Sequence, residues 1–266
     1  MNKELRSDTI KIIAFITMFI DHIGLGILER WYLQITDYDM AMRVYHISSA
    51  LRAVGRIAFP IFCYQLVRGF FYTKNRLRYI RNLLVFAIIS EVPFDLLEEG
   101  RINAESQNVI FTLLIGALLM LTLEWYKETA FYNKRKNLVL IYGIIVAIVV
   151  LYSKLALFIK SDYGAKGIVL ITIIYFFKDD RTKLIQFGPF LYLIEIFVVM
   201  LLTNNFNMHI TVTYCEFAAP AVVAFLFMYM DNGERRYGKW FKWFGYWFYP
   251  VHMMFLFFIA KILKLA

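Results

Sequence analysis

The stretch Ser7–Leu28, SDTIKIIAFITMFIDHIGLGIL, decides how the rest of the chain is read. From Ile10 onward it is apolar except for Lys11, Thr17 and the adjacent Asp21 and His22. A run of ~20 mainly apolar residues is long enough to cross a bilayer as a helix. Lys11 and His22 are eleven positions apart. At ~3.6 residues per turn, that spacing returns to nearly the same face ~16 Å further along. Lys11, Phe15, Met18 and His22 therefore form one stripe, with a cation at one end and an imidazole at the other. Asp21 is turned about 100° from His22, so sequence adjacency does not make the two a hydrogen-bonded dyad. Ionisable groups at this depth usually face a bundle interior or a wet cavity. Two readings follow for His22: the chemical centre of the protein, or a histidine satisfied by a neighbouring helix in a transporter or scaffold.

Composition places the stretch in its class. Of 266 residues, 61% are hydrophobic and only 18% charged, and the mean hydropathy is +0.59. These values predict an all-α, polytopic transmembrane helix bundle in which residues 1–266 form a single integral-membrane domain. Ile10–Leu28 lacks a small-residue cleavage site, which argues against a removable signal peptide. Cys63 and Cys215 both lie in apolar runs and suggest neither a disulfide framework nor a cysteine metal site. The formal net charge of +9 would suggest nucleic acid in a soluble protein. Here the cations sit in short loops between apolar runs, so membrane topology accounts for them and no nucleic-acid partner is expected.

About nine spans are expected, with eight or ten as the bounds. They are approximately Ile10–Leu28, Val54–Tyr72, Tyr79–Leu97, Val109–Trp125, Leu138–Leu157, Tyr163–Phe177, Leu184–Leu202, Ile210–Met230 and Phe244–Leu263. The sixth is short for a full crossing, and Met40–Ala53 reads as an interfacial segment. The basic loops contain Lys74/Arg76/Arg78, Lys127/Lys134/Arg135/Lys136, Lys178/Arg181/Lys183 and Arg235/Arg236/Lys239/Lys242. They alternate with loops poor in Lys and Arg, so the positive-inside rule predicts a cytoplasmic N-terminus. All five prolines, Pro60, Pro93, Pro189, Pro220 and Pro250, fall inside predicted spans. Such breaks survive where neighbouring groups or water satisfy the freed carbonyls.

Depth then groups the polar residues. Counted at ~1.5 Å per residue, Asp21, His22, Arg56, Glu91 and Asn108 all fall in the outer half of the membrane. An arginine with two acids nearby can be compensated there, either as a structural ion pair or as part of a reacting centre. Arg68 lies at the inner end of the second span, and Glu195 is mid-span with no assigned role. His252, in YPVHMMF, reads as six or so residues into the last span from the cytoplasm. His46 and His209 read as loop residues. There is no HExxH, Walker loop, dinucleotide glycine fingerprint or G-x-S-x-G elbow, and the four histidines do not form a metal set.

Several stretches resemble the TraX family of conjugation-associated membrane proteins. They are Ile10–Gly24, ending MFIDHIG; GRIAFPIFCYQLVRGFFYTKN at Gly55–Asn75; SEVPF at Ser90–Phe94; and NVIFTLLIG at Asn108–Gly116. The likeness runs in order through the first half of the chain; the second half matches mainly in hydrophobic profile and YPVH. It implies a membrane acetyltransferase related to transmembrane acyltransferases that move acetyl groups from cytoplasmic acetyl-CoA to an acceptor across the membrane. In that wider group a basic residue, ten intervening residues and a histidine mark the first helix. Lys11 and His22 fit the spacing, with Lys where Arg is more usual, and Tyr249 with His252 resembles a last-helix pattern of the same group. A bacterial cytoplasmic membrane location follows from the resemblance.

The chemistry of these residue types is compatible with that activity. Acetyl transfer needs an acceptor amine or hydroxyl deprotonated as it attacks, and an imidazole of ordinary pKa ~6.5 suits the task. His22 is the candidate general base. Asp21 or Glu91 are candidates to orient it, and Arg56 and Asn108 to stabilise the oxyanion or position the acceptor. Lys11, Arg68, Lys74, Arg76, Arg78 and His252 are the candidate donor-binding groups. The expected partners are the bilayer, acetyl-CoA and an acceptor that is a peptide amine or glycan hydroxyl, with no metal. The competing class is a transporter or non-catalytic assembly factor, although no inverted repeat supports transport.

Overall fold

The computed structural model describes residues 4–129 and 137–265. The basic loop residues Lys134, Arg135 and Lys136 therefore lie outside the described residues. Among those described, the chain is helical throughout, and its β-type pairing is confined to the isolated bridges Leu5–Asp231 and Gln107–Ser161.

The helices are α1 Ser7–Ile23, α2 Glu29–Tyr32, α3 Tyr38–Gly55, α4 Ala58–Tyr72, α5 Arg76–Glu99, α6 Val109–Glu128, α7 Leu138–Phe158, α8 Gly164–Phe176, α9 Arg181–Thr203, α10 Met208–Ala218, α11 Val223–Met230 and α12 Lys239–Ile262. Side chains that accept a backbone N–H set several starts: Asp37 for α3, Asn108 for α6, Asn137 for α7 and Asn207 for α10. Pro220 falls in a 3₁₀ turn, Ala219–Val222, that joins α10 to α11, whereas Pro93, Pro189 and Pro250 lie inside helices.

Among the described residues, seven stretches are long and apolar enough to cross a membrane: Ser7–Tyr32, Tyr38–Tyr72, Val109–Glu128, Leu138–Phe158, Arg181–Thr203, Met208–Met230 and Lys239–Ile262. The other two expected spans are present as helices but differ from these seven. In α5, Arg81, Glu91 and Asp95 interrupt the apolar run, and α8 has only 13 residues. Met40–Ala53, expected at the interface, lies in helix α3, which together with α4 falls in a 35-residue stretch of membrane-spanning length. Large apolar side chains stand exposed along these helices, among them Val139 at 82% and Phe158 at 85%. Exposure on that scale suits surroundings of lipid rather than water.

The chain divides into two compact units. Unit 1 comprises residues 1–62, 89–103 and 181–266; unit 2 comprises 63–88 and 104–180. In unit 2, α6, α7 and α8 pack together, and Gly116 leaves room for Ile171, whose side chain occupies the space a Cβ would take. In unit 1, α1 packs on α3 and on α12. The end of α1 widens into a π-helical turn, Gly24–Leu28, directly after His22. Ser48 on α3 donates to the Gly24 carbonyl at 3.1 Å, so the widened turn is braced from the neighbouring helix.

Candidate functional site

The last helix supplies the partner of the first. His22 Nδ1 lies 2.6 Å from His252 Nε2, 230 residues away in the chain. His252 Nδ1 lies 2.6 Å from the Phe248 carbonyl, four residues back on α12. That carbonyl can only accept, so Nδ1 of His252 carries the proton. In the neutral pair, His252 Nε2 is then the acceptor and His22 Nδ1–H the donor. This assignment follows from the hydrogen-bond network. It leaves Nε2 of His22 as the nitrogen with a lone pair, and no described residue donates to it. His22 is 9% exposed and His252 4%. Phe248 stacks on His252 at 4.8 Å, and Tyr249 meets His22 edge-on at 6.2 Å. The aromatic neighbours fix both rings without competing for a ring nitrogen.

Asp21 turns elsewhere. Its Oδ1 accepts from Arg56 Nη2 at 2.9 Å and faces Arg52 Nε at 3.4 Å. Arg52 Nε also faces Glu29 at 3.6 Å. Two arginines and two carboxylates thus form a cluster of zero net charge. Arg56 also covers the Phe217 ring at 4.8 Å. A Cβ on Gly55 would land on the Asp21 carboxyl, so this glycine is what lets α3 approach α1 there. The two sequence candidates Asp21 and Arg56 are brought together, while the orienting contact of His22 is His252.

Lys11 stands half-buried over the rings of Phe15 at 5.5 Å and Phe241 at 5.3 Å. Gly245 faces it, and a Cβ there would come within 2.5 Å of the ammonium nitrogen. Glu91 is half-buried on the part of α5 that belongs to unit 1. The remaining candidates belong to unit 2. Asn108 is fully buried, capping α6 through its Oδ1 at 3.0 Å from Ile110 N and donating Nδ2 to the Ala87 carbonyl at 2.8 Å. Arg68 is buried over the rings of Tyr64 and Tyr72. Arg76 covers the Phe70 ring at 4.7 Å and faces Glu124 at 3.9 Å. Glu124 in turn accepts from Tyr175. Lys74 is exposed at the turn before α5, and Arg78 is exposed in its first turn.

Sequence reasoning expects His252 beside the donor; the structure puts it beside His22. Arg52 and Glu29 complete the charge cluster and are not among the sequence candidates. Glu29 follows Asp21 closely in the chain, but Arg52 is far from it in sequence and only the packing of α3 on α1 brings it there.

These features define a multi-pass helical membrane protein whose first and last helices enclose a buried histidine pair beside a neutralised charge cluster. A family model described as TraX protein matches residues 6–260, and the chain belongs to that family. A similar protein is the "Probable fimbrial assembly protein FimC, serogroup H1" of Dichelobacter nodosus, 30% identical over 128 residues, or 45% of this chain. That match spans about half, 47%, of the relative's own length. No solved structure matches.

Proposed function

We propose that this chain is an acetyltransferase of the bacterial cytoplasmic membrane, with its N-terminus on the cytoplasmic side. Its donor is acetyl-CoA and its acceptor an amine or hydroxyl, for which the N-terminus of a pilin-like peptide or a surface glycan are candidates. The observation that carries the reading is the lone pair left on His22 Nε2 by the His22–His252–Phe248 hydrogen-bond series. As the acceptor nitrogen or oxygen bonds to the acetyl carbon, its proton passes to Nε2. The imidazolium so formed donates Nδ1–H more strongly to His252, whose own Nδ1–H leans on the Phe248 carbonyl. The C–S bond then breaks, and the proton on Nε2 passes to the leaving sulfur, releasing the thiol and regenerating the neutral ring. His252 acts in this scheme as a positioning residue rather than a donor ligand. Lys11, in its aromatic clamp, is the unit 1 cation assigned to the donor's phosphates.

The test is thiol release from acetyl-CoA by the purified protein, with CoA protection against thermal unfolding as the binding control. Thiol release above a His22→Gln control supports the enzyme. Absence of both release and protection would transfer the case to the second reading, a non-catalytic assembly factor, which the relative's printed name favours.

A further inference from the structure

The two helices that carry the histidines also form an apolar groove between them. It measures about 490 Å³ and is lined on α1 by Ile12, Ile16 and Ile20 and opposite them by Trp240, Phe244 and Phe248. It adjoins the Lys11–His22 stripe, since Phe15 of that stripe and Phe241, the two rings beneath Lys11, also line it, and Ile12, Ile16 and Ile20 carry its wall round α1, roughly 100° or more from Lys11. Its walls are open to the surroundings: Ile16 is 54% exposed and Trp240 59%. From Tyr237, which also lines it, to Phe248 is eleven residues, or roughly 16 Å. That is about half the ~30 Å hydrocarbon core, the depth of one leaflet.

One end of the groove is strongly basic. Arg235, Arg236 and Lys239 fall within five residues beside Tyr237 and Trp240, and all are exposed, while Lys242 turns to Trp243 and Tyr246. The strand of chain leading into this rim is held in place. Asp8 Oδ2 accepts from the backbone N–H of Arg236 at 2.7 Å and of Tyr237 at 2.9 Å, and Ser7 donates to Asp231 at 2.7 Å. Tyr237 and Trp240 at this level have the amphipathic character of interface aromatics.

We propose that the groove holds one acyl chain of an anionic phospholipid from the leaflet on the basic side, with its headgroup phosphate on the rim cations. An apolar chain suits walls of isoleucine and aromatic residues. A pantetheine arm does not, since its two amides would go unpaired there. The lipid would also bear on the histidine pair, because Phe248 is at once a wall of the groove, the stacking partner of His252 and the acceptor of its Nδ1–H.

The experiment uses the full chain in mixed micelles, with Trp31, Trp125, Trp243 and Trp247 changed to Phe so that Trp240 reports alone. Phosphatidylglycerol or phosphatidylcholine with dibrominated acyl chains is titrated in, and quenching of Trp240 is read. Phosphatidylglycerol should reach half-quenching at roughly tenfold lower mole fraction, given the attraction of each surface cation for anionic lipid. Arg236→Gln with Lys239→Gln should bring the two lipids together. Ile16→Phe with Ile20→Phe should weaken quenching by both. A variant set that unfolds early is replaced by Lys239→Gln alone, which should halve or better the preference. Equal quenching by the two lipids in the parent protein would overturn the proposal, leaving ordinary boundary lipid. So would undiminished quenching in the filled groove, or displacement of the brominated lipid by CoA, which would give the groove to the donor.

Discussion

Asp21 and His22 are adjacent on α1, yet they end in opposite kinds of environment. Asp21 is enclosed by charge, with Arg56 at 2.9 Å, Arg52 at 3.4 Å and Glu29 beyond. His22 is enclosed by rings, and its one hydrogen bond goes to another imidazole. The carboxylate cluster pairs two arginines with two carboxylates, although Arg52 Nε and Nη1 are buried without a hydrogen-bond partner among the described residues. The histidine pair is locked on one side and keeps a basic nitrogen on the other. Burial of polar groups inside an apolar bundle is therefore not one phenomenon. Asp21 is compensated where α1 and α3 meet, whereas His22 is held by one ring nitrogen and keeps the lone pair of the other.

The largest effect should come from removing that basic nitrogen. His22→Gln fills much the same space and can hydrogen-bond to His252, but cannot take up the acceptor's proton. We expect a loss of ~10²–10⁴-fold in acetyl transfer, the usual cost of a missing general base. CoA protection in a thermal unfolding assay should survive. Near-normal turnover in this variant would erase the distinction between the two neighbours and leave His22 a structural residue.

His252→Ala removes the orienting ring and leaves the base in place. Losing a group that fixes a functional imidazole from behind typically costs about 10- to 100-fold. Turnover should fall by that amount, with KM for acetyl-CoA little changed. If KM rose while kcat held, His252 would belong with the donor after all, as its sequence position suggests.

That discrepancy shows what could be read in advance. The long apolar helix that begins at Ser7 and the meeting of Asp21 with Arg56 were legible, because apolar run length and rise per residue point to them. The partnership with His252 was not. Depth was counted from Phe244, where hydropathy rises, but α12 begins at Lys239, with Trp240 and Phe241 interleaved among lysines. From that start His252 lies thirteen residues in, or ~20 Å, close to the ~22 Å of His22 from Ser7. Arg52 was obscured for a related reason. Asp37, Asp39 and Arg43 lower the hydropathy of α3, so a helix that packs on α1 looked like an interfacial loop. The π-helical turn after His22 has no hydropathy signature at all, only the two glycines Gly24 and Gly26.

Asp21→Asn should act on the fold more than on the chemistry. Asp21 and Arg56 are each 13% exposed, deep enough that an arginine left without its carboxylate is costly. Breaking a fully buried pair costs ~3–5 kcal/mol, so about 2 kcal/mol is expected for this less enclosed one. The measure is the denaturation midpoint in detergent. The double variant Asp21→Asn with Arg56→Gln should recover part of the loss, since it removes the orphaned charge as well as the pair. A stable Asp21→Asn protein with abolished transfer would instead move Asp21 from the scaffold into the reacting centre.

The smallest effect is expected at Asn108, which shares its predicted depth with His22 but has both amide groups committed to backbone. Its Oδ1 caps α6 at Ile110 N, and its Nδ2 reaches the Ala87 carbonyl. Asn108→Ala should cost about 1 kcal/mol, the ordinary value for a lost N-cap, with a little more for the unpaired Ala87 carbonyl. Asn108→Ser separates these contributions. A serine hydroxyl can still cap the helix but does not extend to Ala87, so most of the stability should return. Asn108→Asp keeps the capping oxygen and sets a carboxylate against the Ala87 carbonyl, so it should fall below serine. That order, Asn above Ser above Asp, is what a capping role dictates. A role in stabilising an oxyanion dictates something else: transfer would drop in all three variants alike, since none retains the amide N–H, and the unfolding midpoints would not follow the activities.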